Sequence, residues 1–176
     1  MKVMFPIILL WALTAVSALG AAEMTKDEMV CALDPSCQKE KPLTRGLTVT
    51  GQQQAKAPAA INLYINFRLN SATILSDGKV TLDNLGNALK DKKLENYTFL
   101  IGGHTDAKGS AKYNLQLSER RAAAVRRYLV KKYHIQVSRL AARGFGSTQL
   151  LEPSNPEDGV NRRVQILNTS TATAQQ

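Results

Sequence analysis

Residues 97–106 read Tyr-Thr-Phe-Leu-Ile-Gly-Gly-His-Thr-Asp. An aromatic and aliphatic run that stops at a glycine pair predicts a strand over 97–103, running into a turn that carries His104, Thr105 and Asp106. From about residue 110 to residue 133 the apolar period lengthens: Leu115, Ala122, Val125 and Leu129 recur on one side of a helix. Lys131 and Lys132 fall in its last turn, where the helix dipole favours cations.

The same strand-then-helix scheme appears upstream. Ile61, Leu63, Ile65 and Phe67 alternate with Asn62, Tyr64 and Asn66, the period of a strand with one buried face. Ser76 is placed to cap a helix, with Leu75 and Val80 spaced for a hydrophobic staple and Leu82, Leu85 and Leu89 facing a core. That helix is expected to end near Lys92. Downstream, 140–144 predicts a short third strand. A loop with Pro153 and Pro156 then leads to a closing strand over 161–167, in which Arg162, Val164 and Ile166 share a side. The order βαβαβ-β predicts an α/β (α+β) sandwich, its helices packed on one mixed sheet, over residues 61–168.

The flanks read differently. In residues 1–22, Lys2 precedes a short apolar run from Phe5 to Val16, and Ala18, Gly20, Ala21 and Ala22 supply small residues, which together predict an export signal. Retention of this segment as a membrane anchor is the alternative. Residues 23–60 are polar and aperiodic, ending in a Gln- and Ala-rich linker, and 169–176 show no apolar period and are expected to be disordered. Cys31 and Cys37 form an even pair at short spacing, which after export predicts a disulfide. No histidine lies near them to complete a metal site.

Formal net charge is +9, and loss of residues 1–22 removes only Lys2, so the remainder favours anionic partners. A nucleic-acid role is not expected: Arg126, Arg127, Lys131 and Lys132 form a basic patch but lack interleaved aromatic platforms. No run of ten-residue alternating segments predicts a membrane barrel.

Chemistry concentrates on the second helix and the turn before it. Asn114, Ser118 and Arg121 fall at i, i+4 and i+7, so one helical face presents an amide, a hydroxyl and a guanidinium. Asp106 lies just upstream. A carboxylate and a guanidinium at one groove suit a zwitterionic ligand, the first accepting from an ammonium and the second gripping a carboxylate. The competing reading pairs Asp106 with Arg121 as a structural ion pair. His104 lacks a nucleophile and an oxyanion site and reads as a turn residue, and His134 as an exposed one. No catalytic residue, cofactor or metal is expected.

Gly103-His104-Thr105-Asp106, Asn114, Leu117-Ser118-Glu119-Arg120-Arg121-Ala122 and Asn161-Arg162-Arg163-Val164 closely resemble the signatures of the OmpA-like peptidoglycan-binding domain, a family that includes the peptidoglycan-associated lipoprotein and the MotB wall anchor. The resemblance covers 61–168. It implies that Asp106 and Arg121 contact diaminopimelate in a peptidoglycan stem peptide, with supporting contacts from Thr105, Asn114, Asn70 and Arg162. It implies a non-enzymatic, non-covalent wall anchor in the periplasm, associated with the outer membrane. The alternative is an envelope interaction protein that recruits a partner, an outer-membrane or other envelope protein, through its N-terminal segment. The chain departs from the family at Phe67-Arg68-Leu69-Asn70-Ser71-Ala72, where members often carry two acidic residues; here they are Arg68 and Asn70, which raises the positive potential beside the groove.

Overall fold

Four strands make the sheet: β1 Ala60–Leu63, β2 Phe99–His104, β3 Leu140–Gly146 and β4 Val164–Asn168. Their spatial order is β1-β4-β2-β3, with β4 antiparallel to both neighbours and β2 parallel to β3. The computed structural model describes residues 23–37 and 59–170; the expected export signal, the 38–58 part of the linker and residues 171–176 lie outside them. Helices α2 Ser76–Leu89 and α3 Ala111–Tyr133 pack on this mixed sheet, as the element order predicts, and an unexpected helix, α1 Lys26–Leu33, packs beside them.

Alternation divides the sheet into two faces. Ile61, Leu63, Phe99, Ile101, Leu140, Val164 and Ile166 point to the helices and share one core with Leu82, Leu85, Leu89, Val125 and Leu129. Asn62, Gln165, Leu100 and Phe145 occupy the alternate positions. The α3 crossover joins the parallel pair, and its N-terminal half lies on the glycine-rich ends of β2 and β3. A Cβ at Gly103 would collide with the Ser118 carbonyl, and one at Gly144 would stand 2.5 Å from Ser118 Oγ and the Glu119 amide. Only side chains this small let the helix sit so low.

Several local expectations change. Ser76 does not cap α2: the N-cap is Leu75, which makes no side-chain cap bond, and its amide donates instead to the Asn66 carbonyl at 3.0 Å. Leu75 and Val80 are 41% and 51% exposed, so no staple forms. Asp77 in the first turn serves the helix start, accepting from Asn66 Nδ2 at 2.7 Å and from the Gly78 amide at 2.8 Å. The helix stops at Leu89, short of Lys92. On α3, Leu115 is exposed and Leu117 takes the buried position. The basic patch divides, because Arg126 caps carbonyls of Val137 and Leu140 while Lys132 pairs with Asp83 at 2.7 Å.

Residues 23–37 are not a polar arm. Thr25 and Glu28 form a capping box that starts α1, and Met29, Val30 and Leu33 are buried in the main core. Cys31 and Cys37 are joined in the expected disulfide, which closes the loop after α1. Asn168 Nδ2 donates to the Leu33 carbonyl at 2.9 Å and Lys26 pairs with Asp91 at 3.0 Å, so the segment is fastened to β4 and to the turn after α2. At the other end Thr169 and Ser170, expected to be disordered, are tied to Thr98: the Thr169 amide donates to its carbonyl at 2.9 Å, and its own amide donates to Ser170 Oγ at 2.7 Å. Replacing the cap by Thr25→Ala is expected to lower unfolding free energy by about 1 kcal/mol, read from urea midpoints. An unchanged midpoint would mean that α1 melts before the rest.

Candidate functional site

Asp106 follows the end of β2, and its position is fixed from three sides. The Thr105 amide donates to the Gly146 carbonyl at 2.9 Å, the Ala107 amide to the Pro156 carbonyl at 2.9 Å, and Asn114 Nδ2 to the carbonyls of Asp106 at 3.2 Å and Lys108 at 3.0 Å. Asn114 is buried on the first turn of α3, so a single amide holds the turn against the helix. One turn further, Ser118 Oγ donates to the Leu115 carbonyl at 2.7 Å and accepts from the Gly146 amide at 2.9 Å. The i, i+4, i+7 face therefore lies against the β2–β3 ends, with Arg121 at its open side.

Arg121 Nε donates to the Ser71 carbonyl at 3.0 Å, and its guanidinium stands 4.9 Å from the centre of the Phe67 ring. Burial lowers its pKa; Arg162 and Arg120 act in the same direction, and Tyr113 and Asp106 oppose it. Among the described residues it has no ion pair. The expected structural pair with Asp106 is absent, for Asp106 Oδ2 accepts instead from Arg162 Nη1 at 2.7 Å. Asp106 is 14% exposed at its side chain and Arg162 54%. Asn70 sits across the opening at φ 51°, a left-handed turn conformation that asparagine tolerates.

All six residues named from the sequence, Asn70, Thr105, Asp106, Asn114, Arg121 and Arg162, line one cavity of about 310 Å³. Leu69, Tyr113 and Leu117 add an apolar wall, so the cavity combines both charges with a place for a hydrocarbon spacer.

Two residues carry more than the sequence reading gave them. Asn161, expected in the closing strand, is fully buried in a short 3₁₀ turn, Gly159–Asn161. Its Oδ1 accepts from the Leu151 and Glu152 amides at 2.8 and 2.9 Å, and its Nδ2 donates to the Asn155 and Pro156 carbonyls at 3.1 and 3.2 Å. The proline-containing loop is thus wound around one side chain, and through Pro156 it supports the Asp106 turn. His104, read as a turn residue, ends β2 and is only 2% exposed, with its ring stacked on Phe145 at 5.1 Å between centroids. His134 is exposed as expected, in a left-handed C-cap of α3. No group of three or more His, Cys, Asp or Glu among the described residues is placed to hold a metal ion.

Burial pushes the His104 pKa down to about 4, and the neighbouring Arg163 charge pushes the same way against the Gln149 backbone. Its unfolded value is near 6.5. The unfolded chain therefore takes up this proton first: its contribution to stability is complete above about pH 6.5, falls between about pH 6.5 and pH 4, and then levels off, a loss of about 3 kcal/mol. Urea midpoints across that window should show the slope in wild type and lose it in His104→Phe, which keeps a ring against Phe145. Equal slopes would place the titrating group elsewhere.

A mixed sheet covered by helices, with a charged cleft where the β2 turn meets the α3 face, defines a small α/β sandwich domain with a ligand-sized polar site. The chain belongs to the OmpA family, whose model matches residues 66–163. It is 34% identical to outer membrane protein A of Bordetella avium over 69% of this chain and 64% of that one. It is 32% identical to outer membrane porin F of Pseudomonas aeruginosa over 60% of this chain and 30% of that one. The chain thus spans less than two thirds of these relatives' own length. Among solved structures it is similar to the OmpA-like domain of FopA1 from Francisella tularensis, with a TM-score of 0.53 and 26% identity over 61% of this chain and 71% of that one. It is also similar to the peptidoglycan-associated lipoprotein of Burkholderia pseudomallei, with a TM-score of 0.50 and 25% identity over 61% of this chain and 88% of that one. The periplasmic domain of Helicobacter pylori MotB shares the fold, with a TM-score of 0.55 and 21% identity over 65% of this chain and 78% of that one.

Proposed function

We propose that the Asp106–Arg121 cavity binds the diaminopimelate of a peptidoglycan stem peptide without covalent chemistry, and that the protein thereby anchors to the wall in the periplasm. One observation carries this reading: a carboxylate and an unpaired, half-buried guanidinium line the same cavity, with apolar walls beside them. A free amino-acid end carries an ammonium and a carboxylate, and these match the two protein charges. Asp106 already accepts from Arg162, yet that partner is largely exposed, so its ion pair is weak and exchangeable, and a carboxylate has acceptor sites to spare. Kinship to a protein named for its peptidoglycan association supports the same reading.

The test is sedimentation with purified peptidoglycan. Wild type should co-sediment, whereas Asp106→Ala should stay in the supernatant while keeping the wild-type unfolding midpoint. Equal sedimentation of both proteins would remove the assignment.

A further inference from the structure

Behind Arg121 and Arg162 lies a second cavity of about 190 Å³, which shares those two side chains with the first as a partition. Its lining adds Arg163, His104, Asn66 and Tyr64, and includes no aspartate or glutamate. Three arginines thus meet at a lining without a carboxylate, and of the three only Arg162 has an ion pair, with Asp106 outside this lining. Burial lowers the pKa of both Arg121 and Arg163, as expected of cations held away from water.

The polar atoms here are also unspent. Arg163 is 7% exposed; its Nε donates to Asn62 Oδ1 and its Nη2 to the Gln149 carbonyl, both at 3.2 Å, while Nη1 has no partner among the described residues. Both ring nitrogens of His104 are buried and make no hydrogen bond of good geometry, while the Gln149 backbone acts on the ring. A neutral imidazole keeps one N–H to donate. Leaving such groups unsatisfied is costly, more so for a charged one, and an anion in the cavity would relieve the cost.

We propose that this second cavity is an oxyanion subsite, in which Arg163 Nη1 and a His104 ring N–H hold a carboxylate- or phosphate-type group, with Arg121 and Arg162 at its rim. The subsite stands without the wall-binding reading; that reading bears only on the source of the anion. A further carboxylate of the same stem peptide would reach it past the partition, whereas a free oxyanion would occupy it alone.

The experiment is a titration of the folded protein with inorganic phosphate at constant ionic strength, followed at the His104 ring and Arg163 guanidinium resonances, with chloride as control. The expected result is saturable perturbation of both groups by phosphate and not by chloride. His104→Phe should weaken it about tenfold, the loss of one hydrogen bond to a charged group. Repeating the titration with a diaminopimelate-bearing muropeptide separates the sources: competition with phosphate assigns the anion to the stem, and independent binding assigns it to a free oxyanion. Shifts shared with chloride, or none at these two residues, would overturn the subsite whether or not the first cavity binds the muropeptide. Conversely, failure of the muropeptide alone would leave the phosphate result intact and count against the wall-binding reading.

Discussion

Gly103→Ala is expected to destabilise the protein by more than about 3 kcal/mol, the upper end of ordinary overpacking, and to abolish ligand binding with it. The added methyl group would overlap the Ser118 carbonyl, which belongs to helix backbone and not to a side chain that could rotate away. Relief would require α3 to lift from the sheet. That helix cannot lift at one end without breaking the Ser118 hydrogen bond to the Gly146 amide and the Asn114 bonds to the Asp106 turn. The same step that accommodates the methyl group therefore separates Asp106 from Arg121. Gly109→Ala is the control: nothing lies near its would-be Cβ, and only its φ of 91° opposes the substitution, a smaller and local cost. Chemical denaturation of both variants checks the ranking. A Gly103→Ala protein as stable as Gly109→Ala would mean that the helix does not rest on the strand as described.

That prediction also marks how far the sequence could be read. The alternation in 61–67, the run before Gly102-Gly103 and the long period of α3 carry the sheet and helices, because burial of one face leaves a regular signature in apolar spacing. The glycine pair read only as the stop signal of that strand, whereas Gly103, within β2 as expected, serves helix contact. A glycine required for close approach and one required for a turn look alike in a single sequence. Helix α1 escaped for another reason: eight residues bury only Met29, Val30 and Leu33, too short a stretch to establish a period, although its Thr25 and Glu28 spell a capping box. The six site residues converge because they lie on one helix face, one turn and the loops facing them. Who pairs with whom did not follow from spacing, since the partner of Asp106 comes from residue 162, brought near by the loop that Asn161 winds.

Arg121→Ala should weaken muropeptide binding by about 2–5 kcal/mol while leaving the fold intact. The guanidinium spends only Nε on the protein, at the Ser71 carbonyl, so its removal costs one hydrogen bond and a stack on Phe67 in the free state. In the complex it would remove the charge opposite a ligand carboxylate in a partly desolvated cavity, where an unmatched charge is costly. Arg121→Lys separates charge from shape. Lysine keeps the cation but lacks the planar fork, and cannot hold Ser71 and grip a carboxylate through two further N–H groups at once, so an intermediate affinity is expected. Arg162→Ala gives the opposite contrast: it frees Asp106 from an exposed partner and should change muropeptide affinity by less than about 1 kcal/mol. Calorimetric titration of the three variants against one muropeptide orders them. If Arg162→Ala proves as damaging as Arg121→Ala, the Asp106–Arg162 pair is itself the ligand-gripping element, and the role assigned to Arg121 passes to Arg162.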